Sequence, residues 1–345
     1  MHAAWDIAAS LGGTREVSMR IFVTGGTGFI GGNVVTRLAE RGYELRCLAR
    51  PASDTSLVER IGATVVRGDL GDRGSLARGM RGCDWVINVA ATYEFWVRDP
   101  GLYQRVNVEG TRNVMECAVD ERIAKVVHVS TAGVWGRPTR APVPIDETTP
   151  FGPRRFSDYC ETKYRGELIA WELFRTRGLP LVVIYPGAVL GPGDPKASGD
   201  YIKRLVQHTL PATVFDRTRF PFVHVDDVAE AIVRAAEKPG NVGEKYLVAK
   251  HNMSWADFNA VVAEESGTPL PKLHLPDWAA MFAGVLFSGV AAVTKRPPFM
   301  GMAYDQMWTM KEGLTVDGSK AERELGLTYT PLRACVRDAV SSIRV

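Results

Sequence analysis

Arg20-Ile-Phe-Val-Thr-Gly-Gly-Thr-Gly-Phe-Ile-Gly31 places a short apolar strand, a glycine turn and the start of a helix within one continuous stretch. Ile21, Phe22 and Val23 run without a polar interruption, the pattern of a strand buried on both faces of a parallel sheet. Gly25, Gly28 and Gly31 then supply in turn a tight bend, a point where backbone approaches a pyrophosphate with no Cβ between, and close packing of helix on strand. The following helix, about Phe29 to Arg41, aims its first amides and the positive end of its dipole at an anion. A glycine turn alone is usually an ordinary loop. Set after a strand and before a helix, at the head of a long α/β pattern, it points to a dinucleotide.

The spacing is Gly-x-x-Gly-x-x-Gly preceded by Thr24, which departs from the Gly-x-Gly-x-x-Gly fingerprint. Thr24-Gly-Gly-Thr-Gly-Phe-Ile-Gly31 closely resembles the cofactor loop of the extended short-chain dehydrogenase/reductases. The resemblance implies an α/β fold, a doubly wound parallel Rossmann sheet with a smaller, mainly helical C-terminal substrate lobe. Thr24, Gly25, Gly28, Phe29, Ile30 and Gly31 would then hold a nicotinamide cofactor. The expected division is an N-terminal extension at 1–18, a cofactor domain at 19–187 and 220–250, and a substrate lobe at 188–219 and 251–345.

Composition narrows the classes. The chain has 345 residues, 46% of them hydrophobic and 23% charged, enough for one large α/β domain and a smaller one. A net charge of +3 with no long basic run gives no support for nucleic-acid binding. The five cysteines are odd in number and widely spaced, with no Cys-x-x-Cys pair or histidine cluster. That argues for a reducing, cytoplasmic setting and against a structural metal.

Residues 1–18 lack both a basic leading region and a continuous apolar run, a poor secretory signal, and Met19 stands directly before the first strand. The second strand, Tyr43 to Ala49, ends in Arg50, where an Asp or Glu would bind the ribose hydroxyls of NAD; an Arg there suits a 2′-phosphate. Arg50-Pro-Ala-Ser53 also resembles the NADPH-selecting corner of the dihydroflavonol-reductase branch. NADP is therefore the preferred cofactor, with NAD kept open by nearby Asp54. Ala63 to Arg67 reads as a third strand, and the resemblance puts the following Asp69 and Leu70 at the adenine, although an Asp in that position is also a common helix cap. Trp85 to Ala91 is a fourth strand whose small Ala90 and Ala91 admit close cofactor contacts. Tyr93-Glu-Phe-Trp96 follows at its carboxyl end, the ligand side of such sheets, so Tyr93, Trp96 and the later Trp135 are candidate substrate contacts. Asn107-Val-Glu-Gly-Thr resembles a family signature in which the Asn supports the catalytic lysine through backbone and water contacts.

Lys125 to Val129 is a fifth strand ending at Ser130-Thr131. On a helix from about Ser157 to Thr176, Tyr159 and Lys163 stand one turn apart and share a face. A cation beside a phenol is expected to lower its pKa from about 10, so that Tyr159 exchanges a proton with a carbonyl or alcohol oxygen while a hydride moves at the nicotinamide. A hydroxyl at Thr131, with Ser130 as the alternative, would hold the same oxygen. A Tyr-x-x-x-Lys pair alone is frequent by chance, but it gains weight after a Ser-Thr strand end in this context.

A sixth strand, Leu181 to Tyr185, leads into Tyr185-Pro-Gly-Ala-Val-Leu-Gly-Pro-Gly193. That segment resembles the family's Arg-Pro-x-x-Val-x-Gly-Pro with Tyr185 in place of Arg, and it puts Pro186 among the cofactor contacts. Phe222-Val-His-Val-Asp-Asp-Val-Ala229 matches a further family segment, in which Asp226 or Asp227 is expected to cap a helix to Lys238 and His224 to be packed. Lys245 to Ala249 would add a strand. Trp278 to Val293 is apolar except for Ser288 but shorter than the roughly 20 residues a spanning helix needs. The expectation is no transmembrane span: the face carrying Trp278, Met281, Phe282 and Leu286 closes over the substrate cleft, with contact to a membrane surface as the alternative.

The reading is an NADP-dependent oxidoreductase acting on a carbonyl, or the matching alcohol, of an apolar small molecule, as a monomer or homodimer. An NAD-dependent sugar-nucleotide epimerase or dehydratase uses the same Thr/Tyr/Lys chemistry and is the alternative. A non-catalytic NADP sensor is the third reading, and it has no need of Tyr159 and Lys163.

Overall fold

The computed structural model describes residues 19–137 and 144–343, so the expected extension at 1–18 lies outside the described residues. The described strands are β1 (Arg20–Thr24), β2 (Glu44–Ala49), β3 (Thr64–Arg67), β4 (Trp85–Asn88), β5 (Lys125–Val129), β6 (Leu181–Pro186), β7 (Ala188–Leu190), β8 (Arg219–His224), β9 (Lys245–Val248) and β10 (His251–Ser254). Seven of them form one parallel sheet in the order β3-β2-β1-β4-β5-β6-β9. The order reverses between β1 and β4, and ligands of doubly wound sheets bind outside that point. Thr24 pairs in register with Leu48 on one side and Asn88 on the other, so the three strands finish level and their following loops converge.

The apolar runs explain the layering. Ile21, Phe22, Val23, Val86, Ile87, Val126, Val127, Val182, Val183 and Ile184 are all fully buried, which requires helices on both faces of the sheet. Each such side chain contributes roughly 1.5–3 kcal/mol on leaving water. On one face the helix Phe29–Glu40 packs against Val225–Glu237, and Glu230 on the second helix binds Arg41 at 2.8 Å and Arg234 at 2.5 Å.

The remaining strands pair as a second, three-stranded sheet in the order β10-β8-β7. Its core is aromatic: Phe222 and Phe258 stack with centroids 4.3 Å apart, and Trp255 meets both edge-on.

Two local expectations change. The helix Val225–Glu237 is capped by His224, whose Nδ1 accepts from the Asp226 amide at 3.3 Å, rather than by Asp226 or Asp227. Asp227 instead accepts from the amide and hydroxyl of Thr330, at 2.8 and 2.7 Å, and ties the C-terminal segment down. The apolar helix Asp277–Thr294 also turns the other way from expectation. Ala280, Gly284 and Ala291 face the protein and Met281 packs, half-buried, against the second core, whereas Trp278, Phe282 and Leu286 are exposed and do not close over the cleft. Small residues are on the inside because the neighbouring helix Tyr304–Glu312 approaches closely: a Cβ at Gly284 would lie 2.9 Å from Met307 Cγ.

Candidate functional site

The carboxyl ends of β1, β2, β4, β5 and β6 open into a cavity of about 490 Å³. At its floor the glycine turn is shaped by contacts no side chain would tolerate. Gly25 has φ +74°, and a Cβ there would sit 2.7 Å from Ala90 N; one on Gly31 would sit 1.9 Å from Gly25 O. Gly28 meets only Gly25 O, at 3.3 Å, and faces the cavity, and the helix Phe29–Glu40 begins with no side-chain cap. This is a cradle of backbone donors at a helix N-terminus, suited to a pyrophosphate.

Gly25, Gly28, Phe29, Ile30, Gly31, Arg50, Asp69, Leu70, Ala90, Ala91, Thr131, Tyr159, Lys163 and Pro186 all line this cavity, as does Tyr93. Thr24 stands beneath it. Its hydroxyl donates to Asn88 Oδ1 at 2.6 Å and accepts from Ala90 N, so it fixes the turn rather than facing a ligand. Asn88 also bonds His128 Nδ1 at 3.0 Å, which joins β1, β4 and β5 by a buried polar bridge; burial, with Lys163 nearby, holds His128 well below its usual pKa.

Arg50 is exposed at the end of β2. Asp54 is engaged elsewhere, accepting from the amide and hydroxyl of Ser56 at 2.9 and 2.5 Å. Asp69 does not cap the next helix: it accepts from Gly71 N at 2.9 Å, while Asp72 caps Arg73–Met80 through Ser75 N.

The proton-handling groups come from β5 and the helix Asp158–Arg177, which is N-capped by Ser157. Ser130 and Thr131 take different tasks. Ser130 donates to Glu167 Oε2 at 2.7 Å, whereas the Thr131 hydroxyl accepts from Gly133 N at 3.3 Å and, set beside the Tyr159 phenol, favours its ionised form. Lys163 is 2% exposed and donates to Val129 O at 2.7 Å. Burial pushes its ammonium down to about 8, opposed by the charge of Glu167. The expected lowering of the Tyr159 pKa is not found. Burial pushes it well above 10, with Cys160 and then Tyr93 adding to the rise; the Tyr93 ring packs against it with centroids 4.9 Å apart. The physical reason is that a phenol removed from water pays a desolvation cost on ionising, and Lys163 does not offset it.

Asn107 does not touch Lys163. Its carboxamide accepts from Thr92 N at 2.8 Å and donates to Thr92 O and to Thr162 Oγ1, both at 3.1 Å, clamping the residue before the lysine to the segment after β4. It sits in a π-helical turn, Gln104–Gly110, of the kind often found at functional sites.

Two candidate substrate contacts fall elsewhere. Trp135 is fully buried, donates to Thr149 O at 2.9 Å and meets Tyr185 edge-on at 4.7 Å, so it is core. Trp96 lines a neighbouring cavity of about 270 Å³ with Phe95 and Tyr103. The sequence reading also missed Glu167, fully enclosed and accepting from Ser130, Tyr185 and Trp171. Its position one turn beyond Lys163 was the only available signal, because its partners are distant in sequence. Asp194 and Lys196 likewise enter the cavity from beyond β7, and Lys196 pairs with Glu94.

Residues 21–249 match the family model described as the NAD dependent epimerase/dehydratase family. A protein of Synechocystis sp. provisionally described as a dihydroflavonol 4-reductase is 32% identical over 92% of this chain and 93% of its own. A 4-hydroxy-2-methyl-3-oxo-4-farnesyl-3,4-dihydroquinoline-1-oxide ketoreductase of Stigmatella aurantiaca is 31% identical over 89% and 91%. Among solved structures, that of gox2253 superposes with a TM-score of 0.81 at 34% identity, covering 94% of this chain and 97% of its own. The glycine cradle, the strand order and these likenesses agree: the chain belongs to the NAD-dependent epimerase/dehydratase family and is an NAD(P)-dependent oxidoreductase of the extended short-chain dehydrogenase/reductase type.

Proposed function

We propose that the enzyme reduces a carbonyl group of an apolar small molecule with NADPH, or oxidises the matching alcohol. The observation that carries this reading is that Thr131, Tyr159 and Lys163 line one cavity with the glycine cradle, while an aromatic ring, Tyr93, packs at a tilt against Tyr159. The residues present fit a dinucleotide. The turn at Gly25–Gly31 would hold the pyrophosphate, Asp69, Leu70, Ala90 and Ala91 the adenosine side, Arg50 the 2′-phosphate, and Lys163 and Pro186 the nicotinamide half. When bound, the cofactor supplies or accepts the hydride.

The protein's own contribution is proton handling and positioning. The Tyr159 phenol, protonated through the neutral range because enclosure raises its pKa, donates to the developing alkoxide oxygen. Thr131 holds that oxygen in place with a second hydroxyl. Ser130 is less suited because its hydroxyl is committed to Glu167. Lys163, a cation at neutral pH, stabilises the phenolate left behind. Asn107 acts on this group indirectly by holding Thr162, and the lobe formed by 188–219 and 251–345 supplies the outer substrate wall.

A sugar nucleotide would ask more of the cleft, since two phosphates need cations. Among the described residues, the cavity's cations are Arg50, Lys163 and Lys196, and Lys196 is already paired with Glu94. Lys203, Arg204 and Arg217, further cations after β7 in sequence, do not line this cavity, and Arg204 is bound to Asp200 at 2.7 Å. The relative named as a ketoreductase of a farnesyl-bearing quinoline favours an apolar carbonyl substrate.

The test is cofactor consumption by the purified protein with panels of apolar ketones and aldehydes and of UDP-sugars. The expected result is stoichiometric NADPH oxidation with an apolar carbonyl compound and no conversion of UDP-sugars. Tightly retained NAD, with sugar interconversion that consumes no added cofactor, would overturn it in favour of an epimerase. Cofactor binding with no turnover on any panel would favour a sensor.

A further inference from the structure

The helix Asp277–Thr294 inverts the usual arrangement of a surface helix. Its small residues, Ala280, Gly284 and Ala291, are buried, and most of its large apolar ones point to solvent: Trp278 is 74% exposed, Phe282 65% and Val293 84%, with Val285, Leu286 and Val290 each about half exposed, while Met281 and Phe287 are half-buried. The positions 278, 282, 285, 286, 289 and 293 recur on one stripe. The helix is fixed by its inner face, where Gly284 meets Met307 and the Tyr304 amide donates to Ser288 Oγ at 2.7 Å. The helix is long and apolar enough by composition to span a bilayer, but its inner face packs along the helix Tyr304–Glu312. A contiguous apolar stripe of this kind on a folded chain marks an interaction surface.

Charge and cavities identify the partner. Between Gly267 and Tyr304 the chain carries the exposed cations Lys272, Lys295 and Arg296 against one carboxylate, Asp277. They flank the stripe at both ends. Beside it lies the 270 Å³ cavity, walled by Ala291, Ala292 and Lys295 on the helix and by Phe95 and Trp96 opposite, with Arg98, Asp158 and Asp305 completing its rim. Phe95 packs on Tyr93 with centroids 5.9 Å apart, and Tyr93 packs on Tyr159, so aromatic contacts run from this cavity to the reactive phenol. A second copy of the chain would account for the apolar stripe alone. A lipid surface accounts for the stripe, the cationic flanks and an opening with aromatic walls next to them.

We propose that the outer face of the helix Asp277–Thr294 docks the enzyme on an anionic phospholipid bilayer, with the adjoining cavity as the entry for a substrate dissolved in the lipid. The docking surface stands on its own geometry; the delivery role rests on the apolar-carbonyl reading. An apolar helix face flanked by cations binds through buried area plus attraction to anionic headgroups.

The test is co-sedimentation of the full chain with vesicles of phosphatidylcholine containing phosphatidylglycerol, and with phosphatidylcholine alone. The wild type is expected to pellet with the anionic vesicles and less at high salt. The Phe282→Glu/Leu286→Glu double variant should bind roughly 100-fold more weakly, from two lost side-chain burials, with an unchanged melting temperature. Lys295→Gln/Arg296→Gln should lose the preference for anionic lipid. Wild type that stays in the supernatant overturns the proposal, as does binding that survives the double variant. A dimer that the double variant dissociates, with no vesicle binding, assigns the face to a second copy instead. No substrate enters this assay, so failure of the carbonyl reading leaves its outcome intact.

Discussion

Replacing Arg50 with Ala should weaken NADPH and leave NADH nearly unchanged. Arg50 is exposed at the end of β2, and its carbonyl accepts from Ser53 N at 3.0 Å and from Arg67 Nη1 at 3.3 Å, which fixes the backbone that carries it. Asp54, the nearby carboxylate that could have served a ribose hydroxyl, is bound to Ser56. Two unit charges about 4 Å apart attract by about 1 kcal/mol in bulk water and about 4 kcal/mol at an effective dielectric near 20. The exposure of Arg50 favours the lower half of that range, about 1–2 kcal/mol, or an increase of roughly 5- to 30-fold in the Kd of NADPH. The NADH constant should move by less than about twofold. Screening supplies an independent check, because the Debye length falls from about 10 Å at 0.1 M salt to about 3 Å at 1 M. Added salt should therefore erode the NADPH preference of the wild type and hardly affect the variant. Titration of nicotinamide fluorescence measures both constants. Equal losses for the two cofactors, or a wild type that prefers NADH, would refute the assignment.

Tyr159→Phe removes one oxygen from a cleft and should leave folding and cofactor affinity nearly intact while turnover falls by at least about 10²-fold; an unchanged kcat would sink the mechanism. Lys163→Ala should lower both turnover and cofactor affinity, read by steady-state kinetics and fluorescence titration. Lys163 also carries a stability cost. Its ordinary value of 10.5 falls to about 8 in the folded chain, so between those two pH values the unfolded state binds the proton and the folded state does not. Stability therefore rises with pH across that window, and the penalty is fully present below about pH 8. Lys163→Met should thus stabilise the cofactor-free chain by about 1–3 kcal/mol at pH 7 and lose the gain by about pH 10.5, measured by urea unfolding at the two pH values. A variant no more stable than wild type at pH 7 would count against the burial argument. Trp135→Ala should destabilise by about 3–5 kcal/mol in the same unfolding assay, since a fully buried ring and its bond to Thr149 are lost. If Trp135→Ala instead raised KM at unchanged stability, the residue would be a substrate contact after all.

What the sequence determined by itself was local and periodic. Ile21–Val23 and the turn at Gly25–Gly31 specify a buried strand, a backbone cradle and a helix start through contacts within a few residues, apart from the approach of Gly25 to Ala90. Tyr159 and Lys163 lie one turn apart, so helix geometry brings them together without reference to the rest of the chain. Alternating strand and helix patterns point to a parallel sheet, whereas its order, β3-β2-β1-β4-β5-β6-β9, is set by which strands pair in the fold. Tertiary structure decided whatever depends on which side an element faces and which distant group it meets. The stripe at Trp278–Val293 has the same composition whether it turns inward or outward; small residues at Ala280, Gly284 and Ala291, packed against the helix Tyr304–Glu312, set its orientation. The choice between Ser130 and Thr131 turns on Glu167, on another element, which takes the Ser130 hydroxyl. The proton affinity of Tyr159 follows the same rule. Spacing puts a cation nearby, but only the packed site shows that burial of the phenol outweighs it, because desolvation depends on everything around a group and not on its neighbour in sequence.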